Sequence, residues 1–392
     1  MRSESETERA SRAAPTAPPV TIVAHDIGRV GGMERQLSEL LIGLRRQGRE
    51  VTVIARTCEL PPGSGVVFHR VRAPGRPFAI AYPWFMLSGS LAVRRWRRGV
   101  VQATGAIVLN RVDVLAIHYL HQVGPANPSR SSMLFRVHVK VAGALKRLGE
   151  RLCLRSGRVA AVVCVSDGLA EEVRREFPRV ADRVLTIHNG VDLDAFAPGA
   201  RREAAVALRA SLGIDGRQLV AAFVGSEWGR KGLEPVIRAL ATAPEWLLVV
   251  AGGGDRARYR ALAESLGVER RVRWLGVTAD IQPVYEMSDA FVLPSDYETF
   301  SLVTFEAAAS GLPVLATPVS GVRELIEDGR NGFVISRDAA EIGGRLNELA
   351  ADPALRARLG AAARESASQY SWARMVERHE QLYARLAAGQ AP

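Results

Sequence analysis

The chain has 392 residues, 47% hydrophobic and 24% charged, the balance of a globular protein with room for two ordinary domains. Its formal net charge is +11, and no window approaches 18 consecutive apolar residues, which excludes a helical membrane span on composition. Cys58, Cys153 and Cys164 are odd in number and scattered, so neither a disulfide framework nor a metal cluster is expected, and reduced thiols in the cytoplasm are.

Residues 1–19 are charged, rich in Ser, Pro and Ala, and lack an apolar segment; they read as a disordered tail rather than a signal peptide. From residue 20 short apolar runs alternate with amphipathic stretches. Strands are predicted at 20–24, 50–55, 100–102, 112–117, 159–165 and 184–187, and helices at 33–47, 84–97, 131–155 and 167–177. After a linker near 195–202 the pattern restarts, with strands at 219–224, 247–251, 272–275, 290–293 and 314–316. Such alternation predicts an α/β protein with doubly wound parallel sheets. Two Rossmann-like domains are expected, 20–195 and 196–370, with a helix in 371–392 packing back on the first. Ligands of open α/β sheets sit at the carboxyl ends of the strands, so the cleft between the domains is the expected site.

The candidate residues follow the same order. Gly28-Arg29-Val30-Gly31-Gly32 joins the first strand to the first helix. Gly31 and Gly32 let the backbone approach an anion at a helix start, although a plain strand-to-helix turn uses the same residues. Asp26 and Gly28 stand at its rim. Residues 90–160 hold thirteen Arg or Lys against two acids, Asp113 and Glu150, an excess equal to that of the whole chain. Arg94-Arg95-Trp96-Arg97-Arg98 interleaves an aromatic with four cations just after the apolar run 81–87. That suits an anionic membrane surface, or simply a solvated helix face. No nucleic-acid recognition motif accompanies it, so nucleic acid is not an expected partner. His118 and His121 can donate or accept a proton near neutrality, or serve as structural histidines.

In the second half, Val224 to Leu233 follows a strand and opens a helix. Arg230 and Lys231 there can neutralise a diphosphate, with Gly225 and Gly232 allowing close approach. Gly252-Gly253-Gly254 ends another strand. The stretch from Asp289 to Thr317 reads as strand, loop, helix and strand. Pro294 ends the first strand, and Gly311 with Pro313 stops the helix. Glu298 on the loop and Glu306, about one and a half turns into a helix starting near Ser301, border the helix N-terminus. A phosphorylated sugar fits such a site; two unrelated surface acids are the plainer alternative.

E-T-F-S-L-V-T-F-E-A-A-A-S-G-L-P-V, from Glu298 to Val314, resembles the E-x7-E signature of retaining, nucleotide-sugar-dependent glycosyltransferases of GT-B fold, the family 4 or group 1 type. The resemblance covers roughly 20–387 and implies two Rossmann-like domains facing a cleft. It also implies transfer of a hexose to an acceptor hydroxyl on a lipid-linked, cell-envelope or other glycan. Glu298 then contacts the donor sugar and Glu306 the nucleotide ribose, with Phe300, Ser301 and Leu302 beside the donor. Ser301 stands where the family often has Gly. G-G-M-E-R is similar to the family's glycine loop, which puts Gly31 and Gly32 at the donor phosphate and Asp26 and Gly28 toward the acceptor.

His118 matches a histidine lying against the donor sugar near its reacting carbon, and His121 competes for that role. Asn189-Gly190-Val191-Asp192 matches the turn that ends the first domain, with His188 in place of the usual Pro. Arg230 and Lys231 match the diphosphate cations, although Ser226 replaces an Arg often found after the first Gly. Gly225 and Gly253 let the backbone approach the donor, and Val272 borders the base. The version here is similar to lipopolysaccharide-core glucosyltransferases; the nucleotide (UDP, GDP or ADP) and the sugar stay open, with UDP-glucose favoured.

No D-x-D stands where a metal would hold a diphosphate, so transfer without metal or other cofactor is expected. The leaving charge is then met by Arg230, Lys231 and helix N–H groups. The expected location is cytoplasmic, peripheral on the inner face of a membrane. An epimerase-like nucleotide-sugar enzyme and a membrane-associated binding protein share the fold. The full set of Glu298, Glu306, Arg230 and Lys231 favours transfer over both.

Overall fold

The computed structural model describes residues 17–28, 31–75, 77–122, 133–155, 157–216 and 218–392. The first sixteen residues of the expected tail, and Arg29 and Val30 of the glycine loop, lie outside the described residues. The first domain contains β1 (Val20–Val23), β2 (Asp26–Ile27), β3 (Val51–Ala55), β4 (Thr57–Cys58), β5 (Val67–Arg70), β6 (Val100–Thr104), β7 (Val112–Ile117), β8 (Val159–Cys164) and β9 (Val184–Thr186). Seven of these form one sheet in the order β5-β3-β1-β6-β7-β8-β9, while β2 and β4 pair separately. The second sheet has the order β12-β11-β10-β13-β14-β15. Its strands are β10 (Leu219–Val224), β11 (Trp246–Ala251), β12 (Val272–Gly276), β13 (Ala290–Leu293), β14 (Val314–Ala316) and β15 (Gly332–Val334).

All pairings in both sheets are parallel. Helices cover both faces of each sheet, so central strands such as β1, β3 and β11 are buried along their whole length. That is why they read as unbroken apolar runs. The strands β5 and β15 escape sequence reading for the opposite reason. β5 is an edge strand, largely exposed and ending in His69-Arg70, and β15 is a three-residue edge strand that begins at Gly332. The helix expected at 84–97 instead spans Phe78–Trp96 and contains Pro83. Proline costs one helical hydrogen bond, and the burial of Tyr82, Phe85 and Met86 outweighs it.

The C-terminal helix Trp372–Ala387 returns to the first domain. Met375, Val376, Leu382 and Tyr383 share a core with Leu37, Leu40, Leu41 and Leu44 of helix Gly32–Arg46. Tyr383 donates a hydrogen bond to Gln102 Oε1 at 2.7 Å, and Arg49 pairs with Glu380. The two helices touch where Gly43 faces Val376, and a Cβ on Gly43 would stand 2.4 Å from Val376 Cγ2. Gly43→Val is therefore expected to destabilise the chain by about 1–3 kcal/mol through overpacking. Adding Val376→Ala should restore part of that loss, as read from urea midpoints of the single and double variants.

Candidate active site

The second-domain site is assembled from three strand ends. After β10 the chain passes Gly225, turns through helix Trp228–Lys231, and reaches Gly232 with φ +80. Arg230 and Lys231 close this short helix rather than opening a long one, and the left-handed Gly232 separates it from helix Leu233–Ala239. Gly225 packs under Lys231, where a Cβ would stand 2.5 Å from Lys231 Cδ. The lysine is thereby directed across to the loop after β13. Its Nζ lies 2.8 Å from Glu298 Oε1, and Arg230 Nη1 lies 3.3 Å from the same oxygen. Ser295 Oγ donates to it at 2.9 Å. Every contact of the Glu298 carboxylate among the described residues falls on Oε1, leaving Oε2 for a further donor. Burial pushes the Glu298 carboxyl up, but Lys231 and Arg230 outweigh it and hold it below the usual range. The result is a fixed carboxylate with two cations beside it.

Ser301 ends that loop with φ +66, and helix Leu302–Ala309 follows. A non-glycine residue in this left-handed region carries a strain of about 1 kcal/mol. It explains why glycine suits the position, and Ser301 offsets part of the strain through its hydroxyl contact with Thr304 at 2.8 Å. Phe300 is buried and stacks on Phe305 at 4.1 Å, so any contact it makes with a ligand is through its backbone. Leu302 reaches the first domain, 3.3 Å from where a Cβ on Gly32 would stand.

Glu306 is buried one and a half turns into the same helix. Burial raises its pKa, opposed by Arg35, whose Nη1 is 2.7 Å from Oε1. Tyr285 donates to Oε2 at 3.0 Å. Arg35 belongs to helix Gly32–Arg46 of the first domain, so this pair spans the two domains. Sequence reasoning passed over Arg35; its place three residues after a glycine pair at a helix start was the available signal.

His118 follows β7 and points toward the same helix. Its Nε2 is 3.0 Å from Gln36 Oε1, while Gln36 Nε2 donates to Met375 Sδ. That chain assigns the proton to His118 Nε2 and leaves Nδ1, buried without a partner, as a free acceptor. Burial lowers its pKa to about 4, so the ring is neutral at pH 7. His121 turns instead toward helix Met133–Cys153, where its backbone N–H donates to Glu150 Oε1 at 2.7 Å. The two candidates thus face different helices.

Other expected residues divide. Gly31 has φ +102 and caps helix Gly32–Arg46. Gly28 accepts a hydrogen bond from Ser38 Oγ at 2.8 Å through its carbonyl. Asp26 is paired with Arg56 and accepts from Thr57 Oγ1 at 2.8 Å. Gly253 follows β11 beside Val277, 3.5 Å from where its Cβ would stand. Val272 stands apart from the other expected residues. It begins β12, buried and in register with Leu248, at the amino end of the strand, away from the carboxyl ends that carry the other groups. The matching carboxyl end is Gly276–Val277, and Val277 is 81% exposed there. Val272 and Val277 thus stand at opposite ends of β12.

A cavity of ≈ 440 Å³ opens between the domains beside Glu298, lined also by Gly168, Glu172, Tyr297 and Arg323. Among the described residues, Asp167, His188 and Glu324 form one group with the side-chain types that hold a metal ion. It bridges the domains, with His188 Nε2 2.8 Å from Glu324 Oε2, while Glu324 Oε1 accepts from Asp167 N at 2.9 Å. The three are far apart in sequence, which is why no spacing motif revealed them.

Two facing Rossmann-like domains, closed by a C-terminal helix on the first, define a protein of the GT-B class. Two family models match this chain. One, described as glycosyl transferases group 1, matches residues 206–366, and the other, Glycosyltransferase Family 4, matches residues 30–195. The alpha-maltose-1-phosphate synthase of Mycolicibacterium smegmatis is 31% identical over 75% of this chain and 78% of its own length. An uncharacterized glycosyltransferase of Methanocaldococcus jannaschii is 29% identical over 90% of this chain and 94% of its own. A D-inositol 3-phosphate glycosyltransferase of Corynebacterium aurimucosum is 36% identical over 52% of this chain, which spans only 51% of that protein. Among solved structures, WaaG, a glycosyltransferase involved in lipopolysaccharide biosynthesis, has a TM-score of 0.75 at 21% identity, covering 94% of this chain and 100% of its own. Anabaena HepE in complex with UDP-glucose has a TM-score of 0.70 at 21% identity, covering 95% and 100%. The chain belongs to the family 4, group 1 glycosyltransferases and moves a sugar from a nucleotide-sugar donor to an acceptor.

The Lys231–Glu298 pair is a direct test of the site's electrostatics. Both side chains are nearly nine-tenths buried, so Lys231→Met should cost about 1–3 kcal/mol at pH 7. The folded-state pKa of Glu298 lies below its ordinary 4.5, so its stabilisation is present above that value and is lost as pH falls through the folded one. In the variant that pKa rises. The cost of the substitution, read from urea titrations, should therefore shrink as pH drops from 7 toward 4.

Proposed function

We propose that this glycosyltransferase moves glucose from UDP-glucose, with retention of configuration and without a metal, to a glycan or lipid-linked acceptor at an anionic membrane surface. The observation that carries the donor side is the convergence of Lys231 and Arg230 on one oxygen of Glu298. The cations stand ready for the diphosphate, and the free Oε2 accepts from a sugar hydroxyl. Departure of the nucleotide places negative charge on the β-phosphate, where Lys231 and Arg230 offset it. Glu298 orients the sugar and forms no covalent bond to it.

Glu306 holds the ribose hydroxyls. Both of its oxygens are engaged, by Arg35 and Tyr285, so ribose exchanges with one of them. Arg35 is the mobile choice, since Tyr285 is buried in the core and the Arg35 side chain is 30% exposed. Gly253 and Val277 flank the base. His118, neutral and with Nδ1 free, accepts a hydrogen bond from a donor-sugar hydroxyl. The choice of UDP-glucose is supported by the complex formed by HepE. WaaG's part in lipopolysaccharide synthesis supports an envelope acceptor.

No helix among the described residues is long and apolar enough to cross a membrane. Attachment is through the exposed Arg94, Arg95, Arg97 and Arg98 on the first domain, on the cytoplasmic side.

A thermal-shift panel of UDP-, GDP-, ADP- and TDP-sugars tests the donor. UDP-glucose should raise the melting temperature of the wild type. Glu306→Ala should lose most of that shift and raise the donor KM about tenfold to a hundredfold, the scale of a hydrogen bond to a charged group. An unchanged KM removes Glu306 from the nucleotide site, and a shift with another nucleotide reassigns the base.

A further inference from the structure

Beside the edge of the first sheet lies a cavity of ≈ 620 Å³, lined by Asp26, Arg56, Arg70, Arg72 and Trp84 among others. Asp26 and Arg56 neutralise each other as an ion pair. Arg70 and Arg72 are exposed, and their side chains make no ion pair or hydrogen bond among the described residues. The cavity therefore carries two uncompensated guanidinium groups, planar forks whose geometric complement is a phosphate.

Trp84 links this cavity to a second feature. Its Nε1 donates to the Arg72 carbonyl at 3.1 Å, which pins the indole at the cavity edge. On helix Phe78–Trp96, Ile80, Trp84, Leu87 and Leu91 recur at helical spacing, within an arc of about 60°. They are 57%, 55%, 61% and 64% exposed. The core is already served by the other face, through Tyr82, Phe85, Met86 and Val93. The outer stripe is surplus to folding. Arg94 and Arg95 flank its end, and a row of large apolar side chains bordered by cations suits the headgroup boundary of an anionic bilayer.

The geometry points to this cavity as an acceptor subsite for a phosphorylated amphiphile, with its phosphate on Arg70 and Arg72 and its hydrocarbon chain along Trp84, Leu87 and Leu91. This names the class of acceptor and rests on the transfer reading above for the reaction itself. The head group then lies next to the glycine loop. Asp26 lines the cavity, Gly28 follows two residues later, and Gly32 abuts Leu302 of the donor domain. A soluble sugar phosphate would use the arginines and leave the stripe uncovered. A neutral glycolipid would use the stripe and leave the arginines unpaired. Only an anionic amphiphile uses both.

Calorimetric titration of the full chain with sub-micellar dodecyl phosphate tests this, with inorganic phosphate and dodecyl maltoside as controls. Arg70→Ser/Arg72→Ser and Trp84→Ala are the variants. Dodecyl phosphate should bind the wild type about tenfold or more tightly than either control does, and than it binds either variant. Equal affinity in the double arginine variant overturns the phosphate assignment. Equal affinity for inorganic phosphate makes the ligand a soluble phosphate, and equal affinity for dodecyl maltoside removes the anionic head; either sinks the proposal. A UDP-glucose melting shift retained in both variants shows that they are folded. Its absence from the wild type would instead remove the donor assignment and leave the calorimetric comparison standing.

Discussion

Glu306 is a buried carboxylate, and burying such a charge costs several kcal/mol unless a cation accompanies it. The cation comes from the other domain: Arg35, at the start of the helix that follows the glycine loop. This one pair ties the two halves together at the point where the proposed nucleotide lies. It also makes the relation between domain contact and ligand reciprocal. A ribose held by Glu306, as proposed, would release Arg35, and an Arg35 held elsewhere leaves Glu306 in need of a partner. The surrounding contacts support the same junction: Leu302 against Gly32, Tyr297 donating to Glu172 at 3.1 Å, and Glu324 capping the helix that starts at Asp167.

The charge arrangement at Glu298 has a different logic. Its partners all come from its own domain, through two loops at the carboxyl ends of adjacent strands β10 and β13. A parallel sheet brings such loops to one edge whatever their separation in the chain. The pair is therefore preformed, independent of how the first domain sits. One acid is fixed inside a domain and the other is shared between domains, which matches a donor held by one half and enclosed by the second.

Much of this was legible in the chain. The period of apolar runs predicted the buried central strands, since strands covered on both faces must be apolar throughout. Glu298 and Glu306 stood out by their spacing across a helix start, and Arg230, Lys231 and the glycine loop by lying in the turns that follow strands β10 and β1. What escaped were residues whose role comes from a distant partner. Arg35 looks like any surface arginine until Glu306 is placed beside it. Asp167, His188 and Glu324 converge from three elements with no shared spacing. That Val272, which begins its strand, stands away from the other groups was not legible either, because an apolar run does not announce which of its ends faces the cleft.

Sequence by itself determined the fold class and the two-domain order, and it singled out Glu298, Glu306, Arg230 and Lys231 as candidates, because periodicity, turn residues and a compact signature are local properties. Tertiary structure alone decided which of them meet. It brought Lys231 to Glu298 and Arg35 to Glu306, separated His118 from His121, and left one apolar face of helix Phe78–Trp96 uncovered. Those outcomes depend on packing between elements far apart in the chain, and pairing of that kind is set by shape and by the cost of leaving a buried charge alone.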